Sequence, residues 1–197
     1  MRKLIVSEFV TLDGVIEAPE KWQFPYLSED VLEQIAAEVH SAEASLLGRN
    51  TYEIFAASWP QRTRNEFGVA DKLNSEPKYV VSSSLEKTEW NNSTLIKGDV
   101  EEEVRKLKQQ QGGAIRIVGS AALVQSLMKT GLIDEFRLMV HPVVLGRGKR
   151  LFNDMLDMTG LELVESKTFK SGVVLLCYQP AASKNYIVTI IYQRTKT

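Results

Sequence analysis

The sequence predicts an α/β domain with a mainly parallel central sheet that closes on an antiparallel hairpin. Short β-branched apolar runs alternate with helix-period segments up to about residue 145, and most of the links between them are short. Two final apolar runs are separated only by Lys170, Ser171 and Gly172, a hairpin turn. Alternation with short links favours parallel strands joined through helices, and the closing hairpin adds antiparallel strands at one edge.

The first strand spans residues 3–10, with Leu4, Ile5 and Val6 as its apolar centre and Asp13-Gly14 as the turn that ends it. From Ser28, an N-cap residue, Val31, Leu32, Ile35, Ala36 and Val39 recur at helical spacing, and Glu29 and Asp30 suit the positive end of that helix. A short buried strand at 45–47 ends at Gly48 and leads into a helix over 50–57. Residues 78–82 and 94–97 read as further strands. Asp99 and Glu102 form a capping-box pattern ahead of a helix that carries Val104 and Leu107.

Gly112 and Gly113 end that helix, residues 114–118 form a strand, and Leu123, Val124, Leu127 and Met128 make the inner face of the next helix, which stops at Gly131. The longest strand is expected over 136–145, and the hairpin strands over 161–169 and 173–178. Residues 58–76 read as a long loop able to act as a lid or substrate loop. The domain is expected to span residues 1–181, with residues 182–197 as a tail whose stretch from Tyr186 to Tyr192 has strand-like composition.

The chain has 197 residues, 44% hydrophobic and 25% charged, which suits one globular domain able to bury about two thirds of its extended surface. A formal net charge of -1 gives no field to attract a polyanion, so nucleic acid is excluded as the default partner. Cys177 is the single cysteine and there are two histidines, a set with no metal-site spacing, and no metal is expected. Glu8 and Asp13 interrupt the amino-terminal apolar run before a signal core or membrane span is complete, which points to a cytoplasmic protein with no membrane partner.

Ligands of open α/β sheets gather at the carboxyl ends of strands, where helix-start amides bind phosphate. Three segments fit. Gly48, Arg49, Asn50 and Thr51 combine close backbone approach with a forked cation and a hydroxyl, Ser82, Ser83 and Ser84 follow a strand directly, and Gly119, Ser120, Ala121, Ala122 and Leu123 lead a strand into a helix. No GxxxxGK[ST] run exists, and GGAIRIVGS lacks the GxGxxG order, which disfavours an ATPase or kinase and a Rossmann turn. The cationic stretch GRGKR at 146–150 reads as a solvated turn or a contact for a substrate phosphate.

Five stretches, TLDGVIEAP, LLGRNTYE, KYVVSSSL, IRIVGSAALVQSLM and GLIDEFRLMVHPVVLGRGKRLF, carry a resemblance that covers almost the whole chain to about Ala181. The sequence resembles the dihydrofolate-reductase-like proteins related to the reductase domain of the bifunctional riboflavin-biosynthesis deaminase-reductase. The resemblance implies a dihydrofolate-reductase-like three-layer fold that binds NADPH in extended form, with pyrophosphate near Gly119 to Ala122, helix-start contacts from Arg49 to Thr51, and the 2′-phosphate near Ser82 to Ser84. It also implies hydride transfer to a small heterocyclic or carbonyl substrate, one candidate being 5-amino-6-(5-phosphoribosylamino)uracil. The zinc-binding deaminase half of the bifunctional enzyme has no counterpart in these 197 residues, and a free-standing reductase is one expectation.

The resemblance also implies, through the family's LDG motif, that Asp13 is the first catalytic candidate. Trp22, Phe24 and Asp30 are the substrate-binding candidates, because Trp22 and Pro25 form a Trp-x-x-Pro pattern ahead of an acid, at a spacing that departs from dihydrofolate reductase. His141 reads as a packed residue. A non-catalytic NADPH- or nucleotide-binding regulatory protein is the alternative, a homodimer is the expected assembly, and a mainly structural homodimer joined through the C-terminal strands is a third reading.

Overall fold

The structure is a computed structural model that describes residues 1–62, 64–153 and 157–181; the proposed tail, with its strand-like stretch, lies outside the described residues. Eight strands form one sheet: β1 (Leu4–Thr11), β2 (Ala42–Gly48), β3 (Lys78–Val81), β4 (Ser93–Ile96), β5 (Ala114–Ile117), β6 (Glu135–His141), β7 (Leu161–Thr168) and β8 (Val174–Pro180). Their order across the sheet is β4-β3-β2-β5-β1-β6-β8-β7. The first six run parallel, β1 lying between β5 and β6, and the β7–β8 hairpin pairs antiparallel with β6 through β8.

Helices α1 (Glu29–Ser41), α2 (Arg49–Ser58) and α3 (Ala70–Ser75) cover one face, and α4 (Val100–Gln109) and α5 (Ala121–Lys129) cover the other. The two-residue period of β1 explains this layering. Leu4, Val6 and Val10 join Val104, Leu107, Leu123, Val124 and Leu127 beneath α4 and α5, while Phe9 points to the opposite face and packs with Val31 and Ile35 of α1. Val39, Tyr52 and Leu73 of the three helices on that face meet over Leu47 and Val80.

Two expectations are corrected. Residues 58–76 are not an open loop: they contain two 3-10 turns, Trp59–Gln61 and Glu66–Gly68, followed by α3. Val69, Ala70 and Leu73 are buried there, and Lys78 fastens the end of α3 by donating from Nζ to the carbonyls of Leu73 and Glu76, each at 2.7 Å, beneath the Trp90 ring. The strand expected over 136–145 stops at His141 because Pro142 has no N–H to extend the ladder. The chain then bends so that Val143 accepts a hydrogen bond from the Leu12 amide.

At α4 the capping pattern forms by half. The Asp99 carboxylate accepts the Glu102 N–H at 3.0 Å, but the Glu102 side chain turns outward to pair with Lys106. Asp99→Ala should therefore lower stability by about 1 kcal/mol, and Glu102→Ala by under about 0.5 kcal/mol, since an exposed i,i+4 pair contributes little. Urea unfolding of both variants checks this; equal losses would show that a reciprocal box forms.

Candidate functional site

The carboxyl ends of β1, β2, β3, β5 and β6 lie along one rim of the sheet, so the segments that leave them are neighbours in space whatever their separation in sequence. Neighbouring strands β2 and β5 each run straight into a helix. Gly48 is the N-cap of α2 and Ser120 the N-cap of α5, and neither helix start receives a side-chain capping bond. Their first amides remain available to an acceptor in the space they share.

The two turns touch. A Cβ on Gly48 would lie 2.5 Å from Ser120 Oγ, and a Cβ on Gly119 would collide with Thr51 Oγ1. Gly48 has an ordinary extended backbone, so glycine is required there for space. Gly119 has φ +54, so both space and conformation favour glycine. The peptide between Gly119 and Ser120 is cis.

The serine run joins the same place. Arg49 Nη1 donates to Ser84 Oγ at 3.3 Å, while the Ser82 hydroxyl accepts the amides of Ser84 and Leu85 and so shapes the turn. Arg49, Asn50, Ser83 and Ser84 are exposed. Thus Gly48, Arg49, Thr51, Ser84, Gly119 and Ser120 meet. Ala121 and Leu123 are buried on the inner side of α5, and Ala122 faces outward. The assembled surface offers backbone amides, hydroxyls and one guanidinium, the donor set suited to a phosphorylated ligand.

Asp13 stands at the other end of the rim and is heavily bonded. Its carboxylate accepts the Thr11 hydroxyl at 2.6 Å and the amides of Gly146 at 2.8 Å and Leu145 at 3.2 Å, and Arg150 Nη2 lies 3.8 Å away. The Thr11 hydroxyl, followed by the two amides, outweighs the opposing effect of burial and holds the carboxyl down at about 2. It is therefore a charged brace between the loop after β1 and the loop after β6. The basic stretch at 146–150 is occupied in the same brace: Arg150 Nε donates to the Asp13 carbonyl, and Lys149 Nζ lies near Glu17.

Trp22 is buried, donates from Nε1 to the Glu17 carbonyl, and sets its ring edge-on to His141 at 5.0 Å. Phe9 and Tyr26 complete the cage around His141, whose Nδ1 lies 2.8 Å from the Met139 carbonyl; burial pushes its pKa down. Phe24 is 60% exposed. Asp30 accepts the Ser28 hydroxyl and the Lys170 amide, the first holding its carboxyl low, and so ties α1 to the hairpin turn. Trp22 thus reaches the rim at His141, whereas the Asp30 carboxylate is engaged with the hairpin.

A separate cleft of about 560 Å³ lies between α2 and the segment after the serine run, walled by Glu53, Ala56, Pro60, Leu85 and Trp90. It lacks the convergent donors found on the rim.

Sequence reasoning missed one residue at the site. Glu8 of β1 lies beneath Gly119, and its Oε1 accepts the Gly119 N–H at 2.6 Å. Burial raises its carboxyl to about 8, against the opposing pull of that hydrogen bond and of Arg116. The signal was present: Glu8 shares the strand face of Leu4, Val6 and Val10, where a lone carboxyl has no apolar reason to be.

Among the described residues, no helix is long and apolar enough to cross a membrane, and no group of three or more His, Cys, Asp or Glu is placed to hold a metal ion. The chain is 34% identical to the uncharacterized protein YyaP of Bacillus subtilis (strain 168) over 182 residues, 90% of this chain and 94% of that one.

Its fold matches the crystal structure of a putative riboflavin biosynthesis protein from Shewanella sp. PV-4 with a TM-score of 0.73 at 18% identity, covering 91% of this chain and 99% of that one. It also matches dihydrofolate reductase from Enterococcus faecalis, complexed with NADP(H), with a TM-score of 0.61 at 16% identity, covering 91% of this chain and 97% of that one. These likenesses fix the fold as dihydrofolate-reductase-like. The family model that matches residues 2–175 is that of the RibD C-terminal domain, spanning β1 to β7 and the start of β8, and the chain belongs to that family.

Proposed function

We propose that the protein is a cytoplasmic NADPH-dependent reductase that transfers hydride to a small heterocyclic or carbonyl substrate. The riboflavin-pathway compound 5-amino-6-(5-phosphoribosylamino)uracil is one candidate substrate. The observation that carries this reading is the meeting of two uncapped helix starts with the Arg49–Ser84 pair on one rim. The solved dihydrofolate reductase of the same fold, complexed with NADP(H), supports the same cofactor here.

In this reading the amides of Ser120, Ala121 and Ala122 and those from Arg49 to Thr51 hold the pyrophosphate, and Arg49 with Ser83 and Ser84 holds the 2′-phosphate. NADPH supplies the hydride, and the protein fixes the geometry. Leu12 and Val144, both exposed on the loops that Asp13 ties together, offer an apolar lip for a flat substrate, and Trp22 and Phe24 are proposed as further substrate contacts. Asp13 contributes a fixed negative charge and loop order at this end.

Titration of NADPH and NADH against protein fluorescence tests the reading. Submillimolar affinity for NADPH is expected, and its absence would end the proposal. Arg49→Ala should weaken NADPH by about tenfold or more, as loss of a charge-assisted hydrogen bond implies, and leave NADH nearly unchanged. Oxidation of NADPH in the presence of pyrimidine, pterin or aldehyde substrates separates a reductase from a protein that only binds the nucleotide.

Asp13 gives a second test through pH. Its folded pKa of about 2 lies below the ordinary 3.8, so its stabilising contribution is complete above that ordinary value and is lost as pH falls toward 2. The Tm difference between wild type and Asp13→Asn should hold steady from pH 8 to 5 and shrink between about pH 4 and 2. A difference unaffected by acid would show that the carboxylate is not held by these donors.

A homodimer belongs to the same proposal, supported by β7, an edge strand exposed from Glu162 to Thr168. Light scattering at micromolar concentration should report two chains, and a monomer would remove this part of the reading.

A further inference from the structure

We propose that Glu8 is a positioning residue for the phosphate-binding turn, holding the Gly119 amide inward from the buried face of β1 so that the helix-start amides beyond it face the bound anion. The inference rests on the reading of this rim as a cofactor phosphate site, and it adds a residue and a pH dependence to it.

The side chains of Leu4, Val6 and Val10 on this face of β1 enter the apolar core, and Glu8 between them is only 7% exposed. A carboxylate buried there must be paired or neutralised. Its hydrogen-bond partner is the Gly119 N–H. Leu138, opposite Glu8 on β6, and Leu123 and Val124 on α5 bring no charge to this face.

Arg116 of β5 is the one cation that acts on Glu8 among the described residues, and its guanidinium lies 3.9 Å from Glu76. At the same strand ends Asp13 and Arg150 are engaged with each other. Neutralisation is the outcome that burial favours, and the carboxyl accordingly stays protonated up to about pH 8.

The geometry gives the neutral acid a task. Gly119 has φ +54 and its Cα faces Thr51 Oγ1, so the turn is set by its contacts on one side and by Glu8 on the other. With the Gly119 amide bonded inward, the amides from Ser120 onward are left to the helix start and its ligand. An apolar residue at position 8 would leave that amide unsatisfied and the turn free to shift. An ionised one would hold the amide but repel phosphate at close range in a site partly screened from water.

Two measurements test this. In cofactor-free protein, the Gly119 amide resonance in a proton–nitrogen NMR spectrum should titrate with a midpoint near 8 and should lose that titration in Glu8→Gln. NADPH affinity, followed by fluorescence from pH 7 to 9.5, where the 2′-phosphate stays fully ionised, should fall about fivefold in the wild type and stay flat in Glu8→Gln. At pH 7, Glu8→Gln should bind NADPH within about twofold of wild type, because its carboxamide oxygen still accepts the Gly119 N–H, and Glu8→Ala should bind about tenfold more weakly.

A merely structural role would weaken both variants without altering the pH profile. A Gly119 resonance that stays constant between pH 6 and 10, or a wild-type affinity with the same pH profile as Glu8→Gln, would overturn the inference. If NADPH fails to bind while Gly119 titrates as expected, the cofactor reading falls and the inference about the phosphate site falls with it, leaving the Glu8–Gly119 clamp as a feature of the fold alone.

Discussion

The candidate site depends on how closely the β2–α2 and β5–α5 turns approach each other. Parallel neighbours bring two helix starts to the same rim, and here neither start carries a side-chain cap. Here Gly48 yields its side-chain volume to Ser120 and Gly119 yields its own to Thr51. The hydroxyls fill the seam and the uncapped amides share one space. A larger residue at either position would wedge the turns apart, so the glycines set the geometry and the hydroxyl residues exploit it.

Much of the fold is legible in the chain because period and punctuation are local signals. The alternation in β1, the glycines that end the helices and the Lys170-Ser171-Gly172 turn each act within a few residues, and the structure places strands, helices and hairpin where they indicate. What was illegible depends on distant partners. Residues 58–76 look like an unstructured loop because their apolar residues are sparse, yet Val69 and Leu73 reach Leu47 and Val80 only after the sheet has formed. The capping box failed for a local reason, since Lys106 one turn away competes for Glu102.

The site was legible to a comparable depth. Three sequence segments chosen for glycine, hydroxyl and cation content are brought together by the strand order β3-β2-β5, which no local pattern reveals. The carboxylates were harder to read. Asp13 and Asp30 invite a chemical role because each sits near a recognisable motif, yet their oxygens accept hydroxyl and amide hydrogens that bind separate parts of the chain together. Glu8 looks like an interruption in an apolar run, and its partner lies 111 residues further along.

These three carboxyl groups show how one rim can carry acids in opposite states at the same pH. Asp13 and Asp30 are surrounded by donors, and donors favour the charged form. Glu8 has one N–H and an apolar wall, and there desolvation prevails. The result is spatially ordered: fixed negative charge stands at the Asp13 end, where Arg150 balances it, and is withheld beneath the turn where helix-start amides are exposed. A ligand with phosphates at one end and a neutral or electron-poor ring at the other would meet an electrostatic gradient of matching sense. Orientation along the rim would then follow from charge placement before any contact with the ring is made.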